Sequence, residues 1–308
     1  MLNMNRIIKI LTASAICLML SVVLYAQKHM MIKKSGGGQT VYPNRDNVFK
    51  PGFKLSPVGT FDKANVERLF FFPVQAPDFT GHVLKRNMTR KQVSLQQVSC
   101  RENNITDEKE WVINNNLTLR ELPVETPIGQ FGPRYSYYTG GYLVTIYGPH
   151  YGETLKLVIT DLAETQLYAA YDFESFRYSP KTTLMGNTQC MQDVIIEGNV
   201  MYVSHGSRSY SDGAGYQTGY ITAYDLEKNE IIWTTQPMTC NSSFTIYGNS
   251  IICGYGFTAE PDNLYVLDKY SGQRVHKYPV KKMVERVVVK DGKAYVRTYS
   301  YDYVFSVK

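Results

Sequence analysis

Asp193-Val-Ile-Ile-Glu-Gly-Asn-Val-Met-Tyr-Val203, continued after a loop by Gly219-Tyr-Ile-Thr-Ala-Tyr-Asp-Leu226 and, past a turn, by Glu230-Ile-Ile-Trp233, decides the fold. It reads as four β runs. The first two are joined at a glycine, which supplies the backbone freedom of a tight hairpin. The third ends in an aspartate whose carboxylate can take backbone amides of the next turn. The same plan recurs in Phe244-Thr-Ile-Tyr-Gly-Asn-Ser-Ile-Ile252, Asn263-Leu-Tyr-Val-Leu-Asp268 and Arg274-Val-His-Lys-Tyr278. It recurs again in Arg286-Val-Val-Val-Lys-Asp-Gly-Lys-Ala-Tyr-Val296 and Asp302-Tyr-Val-Phe-Ser-Val307. A looser copy is Tyr138-Thr-Gly-Gly-Tyr-Leu-Val-Thr-Ile146, Leu155-Lys-Leu-Val-Ile-Thr-Asp161 and Gln166-Leu-Tyr-Ala-Ala-Tyr171.

Gly141, Gly198, Gly248 and Gly292 mark successive hairpins, and Asp161, Asp225 and Asp268 the third-run turns. Four antiparallel strands per unit at this spacing suit a blade rather than a solenoid coil. A single blade cannot cover both its faces, so blades stack. The expected fold is all-β: a β-propeller of four-stranded antiparallel blades, about five in number, and up to seven only if blades shrink to roughly 40 residues. The last unit stops at Lys308 before its fourth run. An N-terminal strand is therefore expected to close it, drawn from the Phe49–Thr60 region, which also removes a bare sheet edge.

Upstream the pattern weakens. Residues 1–26 read as an export signal, with Arg6 and Lys9 ahead of an uncharged apolar run from Ile10 to Tyr25 and Ala26 before the cleavage point. An uncleaved membrane anchor is the alternative, though the run is short for a bilayer span. Residues 27–47, containing Gly36-Gly37-Gly38, read as a flexible leader. The β-propeller domain is then 48–308, with a diverged repeat over 61–134 and clearer repeats over 135–308. A β-sandwich in the N-terminal part, followed by a partial propeller, is the rival architecture.

The chain has 308 residues, 44 % hydrophobic and 19 % charged, with 25 Tyr and only 2 Trp. Tyrosine suits strands, packing its ring on the pleat while its hydroxyl reaches water. Net charge is +6, of which Arg6 and Lys9 contribute two, and the basic residues are scattered. With no stripe suited to phosphates, nucleic acid is not an expected partner. Cys100, Cys190, Cys240 and Cys253 follow the signal without a C-x-x-C spacing or a Cys/His cluster, so no metal is expected. Cys190 and Cys240 occupy equivalent places in adjacent units, where a disulfide between them and two buried free thiols are the two readings.

Gly219-Tyr-Ile-Thr-Ala-Tyr-Asp-Leu-Glu-Lys-Asn-Glu-Ile-Ile-Trp233 and Asn263-Leu-Tyr-Val-Leu-Asp-Lys-Tyr-Ser-Gly-Gln273 resemble the repeat of the pyrroloquinoline-quinone-like (PQQ-like) β-propeller family. The resemblance covers about residues 193–308, is looser from 135, and ends there. It implies a propeller and leaves function open, because one scaffold hosts many functions. The quinoprotein dehydrogenases of that family use eight blades, calcium and an adjacent-cysteine disulfide. This chain has no Cys-Cys pair, so no cofactor and no quinone or calcium residue is carried over. The non-enzymatic envelope members, which bind other proteins, are the nearer likeness.

Loops between second and third strands gather at one end of a propeller. Three are rich in Gly and Tyr: Tyr147–Gly152, His205–Gly219 and Gly254–Asp262. Tyr151, His205, Arg208, Tyr210, Tyr216, Tyr255 and Phe257 are the candidate ligand- or partner-binding residues, since Tyr and Arg among small adaptable neighbours suit recognition. Tyr299 and Tyr301 are expected beside them. No catalytic motif stands out: there is no G-x-S-x-G turn, no H-E-x-x-H and no phosphate-cradling loop. The expected function is an exported binding or scaffold protein of the bacterial cell envelope, periplasmic or at the cell surface, whose partner is another envelope protein or a surface ligand. The alternative is a divergent propeller enzyme, a quinoprotein-like oxidoreductase or a hydrolase of sugar or peptide. That reading requires carboxylates or histidines converging at the axis.

Overall fold

The computed structural model describes residues 42–43, 54–104, 108–115, 117, 119–120, 132–149, 153–183 and 188–308. The export signal expected over 1–26 and most of the leader expected over 27–47 lie outside them. The first elements are β1 (Tyr42–Pro43), β2 (Gly59–Thr60), β3 (Phe72–Pro73), β4 (Leu95–Glu102), the short helix α1 (Glu108–Asn114) and β5 (Leu119–Arg120), which pairs with β1.

Four larger sheets follow in chain order. The first is β6 (Gly132–Thr139), β7 (Tyr142–Gly148), β8 (Lys156–Thr160) and β9 (Gln166–Asp172), extended by β2 along β9, with β3 running parallel beside β9. The second is β10 (Gln189–Glu197), β11 (Val200–Ser207), β12 (Tyr220–Asp225) and β13 (Glu230–Thr234). The third is β14 (Thr245–Tyr247), β15 (Ser250–Phe257), β16 (Glu260–Asp268) and β17 (Arg274–Pro279). In the fourth, β18 (Val284–Lys290), β19 (Lys293–Thr298) and β20 (Tyr301–Val307) are joined on the outside by β4.

Local chemistry explains the strand ends. Asp291 and Gly292 take φ of +50° and +69° in the β18–β19 turn, a left-handed pair that matches the twist of a two-residue hairpin. The third-strand aspartates act as expected. Asp161 accepts from the amides of Thr165 and Gln166, Asp225 from those of Glu227 and Lys228, and Asp268 from Tyr270 and the Ser271 hydroxyl.

The period-two alternation of strand side chains sorts the core. In β10, Val194 and Ile196 face the first sheet and pack with Val144, Ile146 and Leu157. Ile195 between them faces the third sheet and packs with Ile246 and Ile251. Ile252 and Val266 in turn meet Val287, Val289 and Phe305 of the fourth. Each such side chain stabilises by about 1.5–3 kcal/mol relative to exposure. Inner strands such as β7, β11 and β15 are buried on both faces, which is why they read as nearly continuous apolar runs.

Innermost strands lie side by side. The Ile196 amide donates to Thr139 Oγ1 at 2.8 Å, joining β10 to β6. The Phe244 amide donates to Asp193 Oδ2 at 3.0 Å, joining the start of the third sheet to β10. Ser243 Oγ donates to the Glu285 carbonyl at 3.0 Å, reaching β18. The innermost strands of the four sheets thus neighbour one another in chain order, as those of successive blades do.

Residues 61–102 form no sheet of their own; the diverged repeat was expected over 61–134, of which residues 105–107, 116, 118 and 121–131 lie outside those described. Instead the segment runs as a strap past all four sheets in order. Phe61 and Val66 cover the outer face of the first sheet, on Tyr147 and Val158. His82 bridges Thr234 at the edge of the second, the Leu84 amide donates to the Ser271 carbonyl of the third, and β4 then pairs with β20 of the fourth. An N-terminal strand does complete the last sheet, but it is Leu95–Glu102; of the Phe49–Thr60 region expected to do so, the described Gly59–Thr60 pair with β9 instead. The strap is too sparse in alternating apolar residues to make a blade, yet long enough to reach round the rim. At the far end Trp111 and Val112 of α1 cover Val288, and Arg286 donates to Glu108 at 2.7 Å.

Candidate functional site at the loop end of the sheets

The loop from Arg208 to Gly219 is the most built feature of this end. Ser211–Ala214 form a 3-10 turn, closed by Gly215 at φ +55°. The Thr183 amide and hydroxyl both donate to the Gly213 carbonyl, and Ser179 Oγ donates to the Ala214 carbonyl. On the other side the Ser211 amide and hydroxyl donate to Glu260 Oε1 at 2.7 and 2.9 Å, and Tyr255 Oη donates to Glu260 Oε2 at 2.7 Å. Arg208 Nη1 donates to Tyr135 Oη on β6 at 2.8 Å. The loop is thus clamped to three neighbouring elements, and the ordering entropy of its exposed groups is already spent within the fold.

What the clamp presents is aromatic. Tyr210 is 44 % exposed and stands edge-on to Phe257, with ring centroids 4.8 Å apart. Tyr216 is 58 % exposed and takes φ +64°, an uncommon left-handed conformation for a bulky residue. Its amide donates to the Ser211 carbonyl, so the 3-10 turn holds the conformation. Such strain is often kept where a side chain must be aimed. Tyr178 is also exposed, on the connection that runs beside Gly215 through Lys181, and Tyr299 is exposed on the turn of the fourth sheet.

The sequence-derived candidates divide. Arg208, Tyr210, Tyr216 and Phe257 come together on this end. Tyr151 falls outside the described residues. His205 and Tyr255 are corrections: their rings are buried, His205 fully so, and face the core rather than a ligand. His205 stacks on Tyr220 at 5.2 Å and meets the Phe176 edge at 4.9 Å, with Nε2 bonded to Thr222 Oγ1. It lies in β11, not in the loop, because the strand continues to Ser207. Gly254–Asp262 is likewise no open loop. β15 and β16 carry on to a two-residue turn at Thr258–Ala259, where Ala259 has φ +66°. Burial pushes the Tyr255 hydroxyl up, and so does its bond to Glu260, which keeps it protonated as a donor.

Of the two readings of Cys190 and Cys240, the structure has the buried thiols. Both thiols are free and buried. Cys190 donates to the Gly206 carbonyl at 3.6 Å, while the sulfur of Cys240 meets Ser204, Ser242 and Cys253. Equivalent inner positions in adjacent blades point into different inter-sheet layers. Glu260 and Ser211, which organise the site, and the exposed Tyr178 were not singled out from sequence. Only strand register, which places Phe257 opposite Glu260, shows that this glutamate faces the neighbouring loop.

Burial lowers the His205 imidazole to about 3. The unfolded chain therefore binds this proton below its ordinary value near 6.5, while the folded chain does not. Stability from this residue is full above about pH 6.5 and is lost as pH falls toward 3, at up to about 1.4 kcal/mol per pH unit. A His205→Phe variant is expected to flatten this acid limb in urea titrations at stepped pH. Equal slopes for both proteins would contradict the burial.

No protein-family model matches the chain, and no curated protein matches it. Among solved structures it is similar to BamB from Moraxella catarrhalis, at 12 % identity and a TM-score of 0.36, over 59 % of this chain and 44 % of that one. It is also similar to a chain of the mitotic checkpoint complex, at 11 % identity and a TM-score of 0.35, over 81 % of this chain and 66 % of that one. The chain thus spans less than two thirds of the length of either. Its blade-like architecture rests on its own strand order and on the bonds between its innermost strands.

Proposed function

We propose that this chain is an exported propeller scaffold of the cell envelope that binds another protein through its tyrosine-bearing loop end. The observation that carries the reading is the pair Tyr210 and Tyr216, exposed aromatics held on a loop bonded to its neighbours at Thr183, Glu260 and Tyr135. Large rings with few rotatable bonds bury much area for little ordering cost, and a prefixed loop lowers that cost further. Arg208 adds a charged donor beside them. Export is supported by the Arg6/Lys9 start and the apolar run to Tyr25. No described helix is long and apolar enough to cross a membrane.

The test is a Tyr210→Ser, Tyr216→Ser double variant. Its melting temperature is expected to stay near that of the parent, since both rings are largely exposed, while the affinity for a partner captured from envelope fractions falls at least tenfold. Unchanged affinity would remove this face from the account.

A further inference from the structure

Cys240 and Cys253 are neighbours in the core between the second and third sheets. Their thiols are near enough to perturb each other's ionisation, and both residues are wholly buried. Cys240 sits in the link that joins β13 to β14. The Asn241 amide, next in line, donates to the carbonyl of Gly254, which follows Cys253. Cys253 Sγ donates to the Thr239 carbonyl at 3.6 Å, so its sulfur lies against the backbone next to Cys240. Beyond weak contacts of the two sulfurs with Ser204, the Ser242 carbonyl and the Thr239 carbonyl, the surroundings are apolar. The surrounding side chains include Ile221, Ala223, Phe244 and Ile251.

We propose that Cys240 and Cys253 form an intrachain disulfide when the chain folds in an oxidising compartment, stapling the link between the second and third sheets to β15. The reaction is thiol–disulfide exchange. The thiolate of one cysteine attacks a small disulfide oxidant such as oxidised glutathione, releasing one reduced thiol. The second cysteine then attacks the mixed disulfide and releases the other. Two electrons pass to the oxidant, and the two cysteine protons end on its thiols. The bond must form before the core closes, because neither sulfur reaches solvent in the fold. Burial also pushes the Cys253 thiol well above its ordinary value, which suppresses its thiolate once folded. The staple is independent of the binding face. It fixes the link whose Thr239 and Cys240 amides both donate to the Gly219 carbonyl, at the root of the long loop.

The experiment refolds the reduced, denatured full chain in a glutathione redox buffer, caps free thiols, and digests without reduction. Trypsin has no site between the two cysteines, whereas chymotrypsin can cut after Phe244 and Tyr247. The expected result is a chymotryptic pair linked through Cys240 and Cys253, with Cys190 capped. Dithiothreitol should lower the melting temperature of this product by roughly 5–10 °C, and should leave a Cys253→Ala variant unmoved. The linkage is read on the unsubstituted chain, so it does not depend on the variant folding. Capping of both Cys240 and Cys253, or a link from either to Cys190 or Cys100, would overturn the proposal.

Discussion

A chain shortened to begin at Asn103 is expected to lose cooperative folding. The truncation removes five buried apolar residues: Phe61, Val66, Val74, Phe79 and Leu95. At about 1.5–3 kcal/mol each, their burial is comparable with the whole net stability of a typical domain, about 5–15 kcal/mol. It also strips β20 of its partner over seven paired positions, from Tyr301–Glu102 to Val307–Leu95, and so bares a sheet edge open to aggregation. Tyr142 loses the amide of Leu55, and Tyr278 that of Leu95. The check is circular dichroism with thermal melting and light scattering. A monomeric product that melts sharply near the parent temperature would mean that the strap merely decorates the sheets. Adding residues 54–104 as a separate polypeptide should restore part of the transition.

Gly219→Ala is expected to cost about 2–5 kcal/mol, combining a left-handed residue at about 1–2 with overpacking at about 1–3. Gly219 has φ +74°, and an added Cβ would stand 2.5 Å from the Tyr255 ring and 3.3 Å from the Cys240 carbonyl oxygen. The ring is held in turn by its bond to Glu260, which also anchors Ser211. The substitution should therefore loosen the loop that carries Tyr210 and Tyr216 as well as destabilise the fold. Gly198→Ala is the control: its φ is +63°, but nothing lies within 4 Å of an added Cβ, so only the backbone cost of about 1–2 kcal/mol remains. Urea denaturation of the two variants should separate them clearly. Equal losses would show that Tyr255 does not pack where it is placed here.

The blades from residue 135 onward were legible because their determinants are local. A glycine at a positive-φ turn, an aspartate capping the next turn and strand-length apolar runs all lie within a few residues of one another. The strap was not legible for the opposite reason. Phe61, Val74 and Leu95 are apolar anchors separated by polar stretches, and each is explained by a sheet more than 50 residues away in sequence. The site was half legible. Arg208, Tyr210 and Tyr216 follow from loop composition, but His205 and Tyr255 were misplaced because strands β11 and β15 extend past the point where glycines signal a loop. Glycine in those positions permits close packing instead: a Cβ at Gly206 would meet the Gly219 amide at 2.8 Å, and one at Gly254 the Val284 side chain at 2.4 Å. The cysteine register was sound as a repeat alignment. It failed as a contact because equivalent positions in successive units face different inter-sheet layers, Cys190 toward Thr154 and Cys240 toward Cys253.

The most direct test is site-specific photo-crosslinking from one end of the sheets against the other, in cells that export the chain. A photoreactive phenylalanine at Tyr216 samples the loop end, and one at Lys228, in the exposed turn after Asp225, samples the opposite end. The account predicts a discrete protein adduct from position 216 that is absent at 228 and absent when Tyr210 is replaced by Ser. Adducts from 228 alone, or the same adducts from both positions, would contradict it.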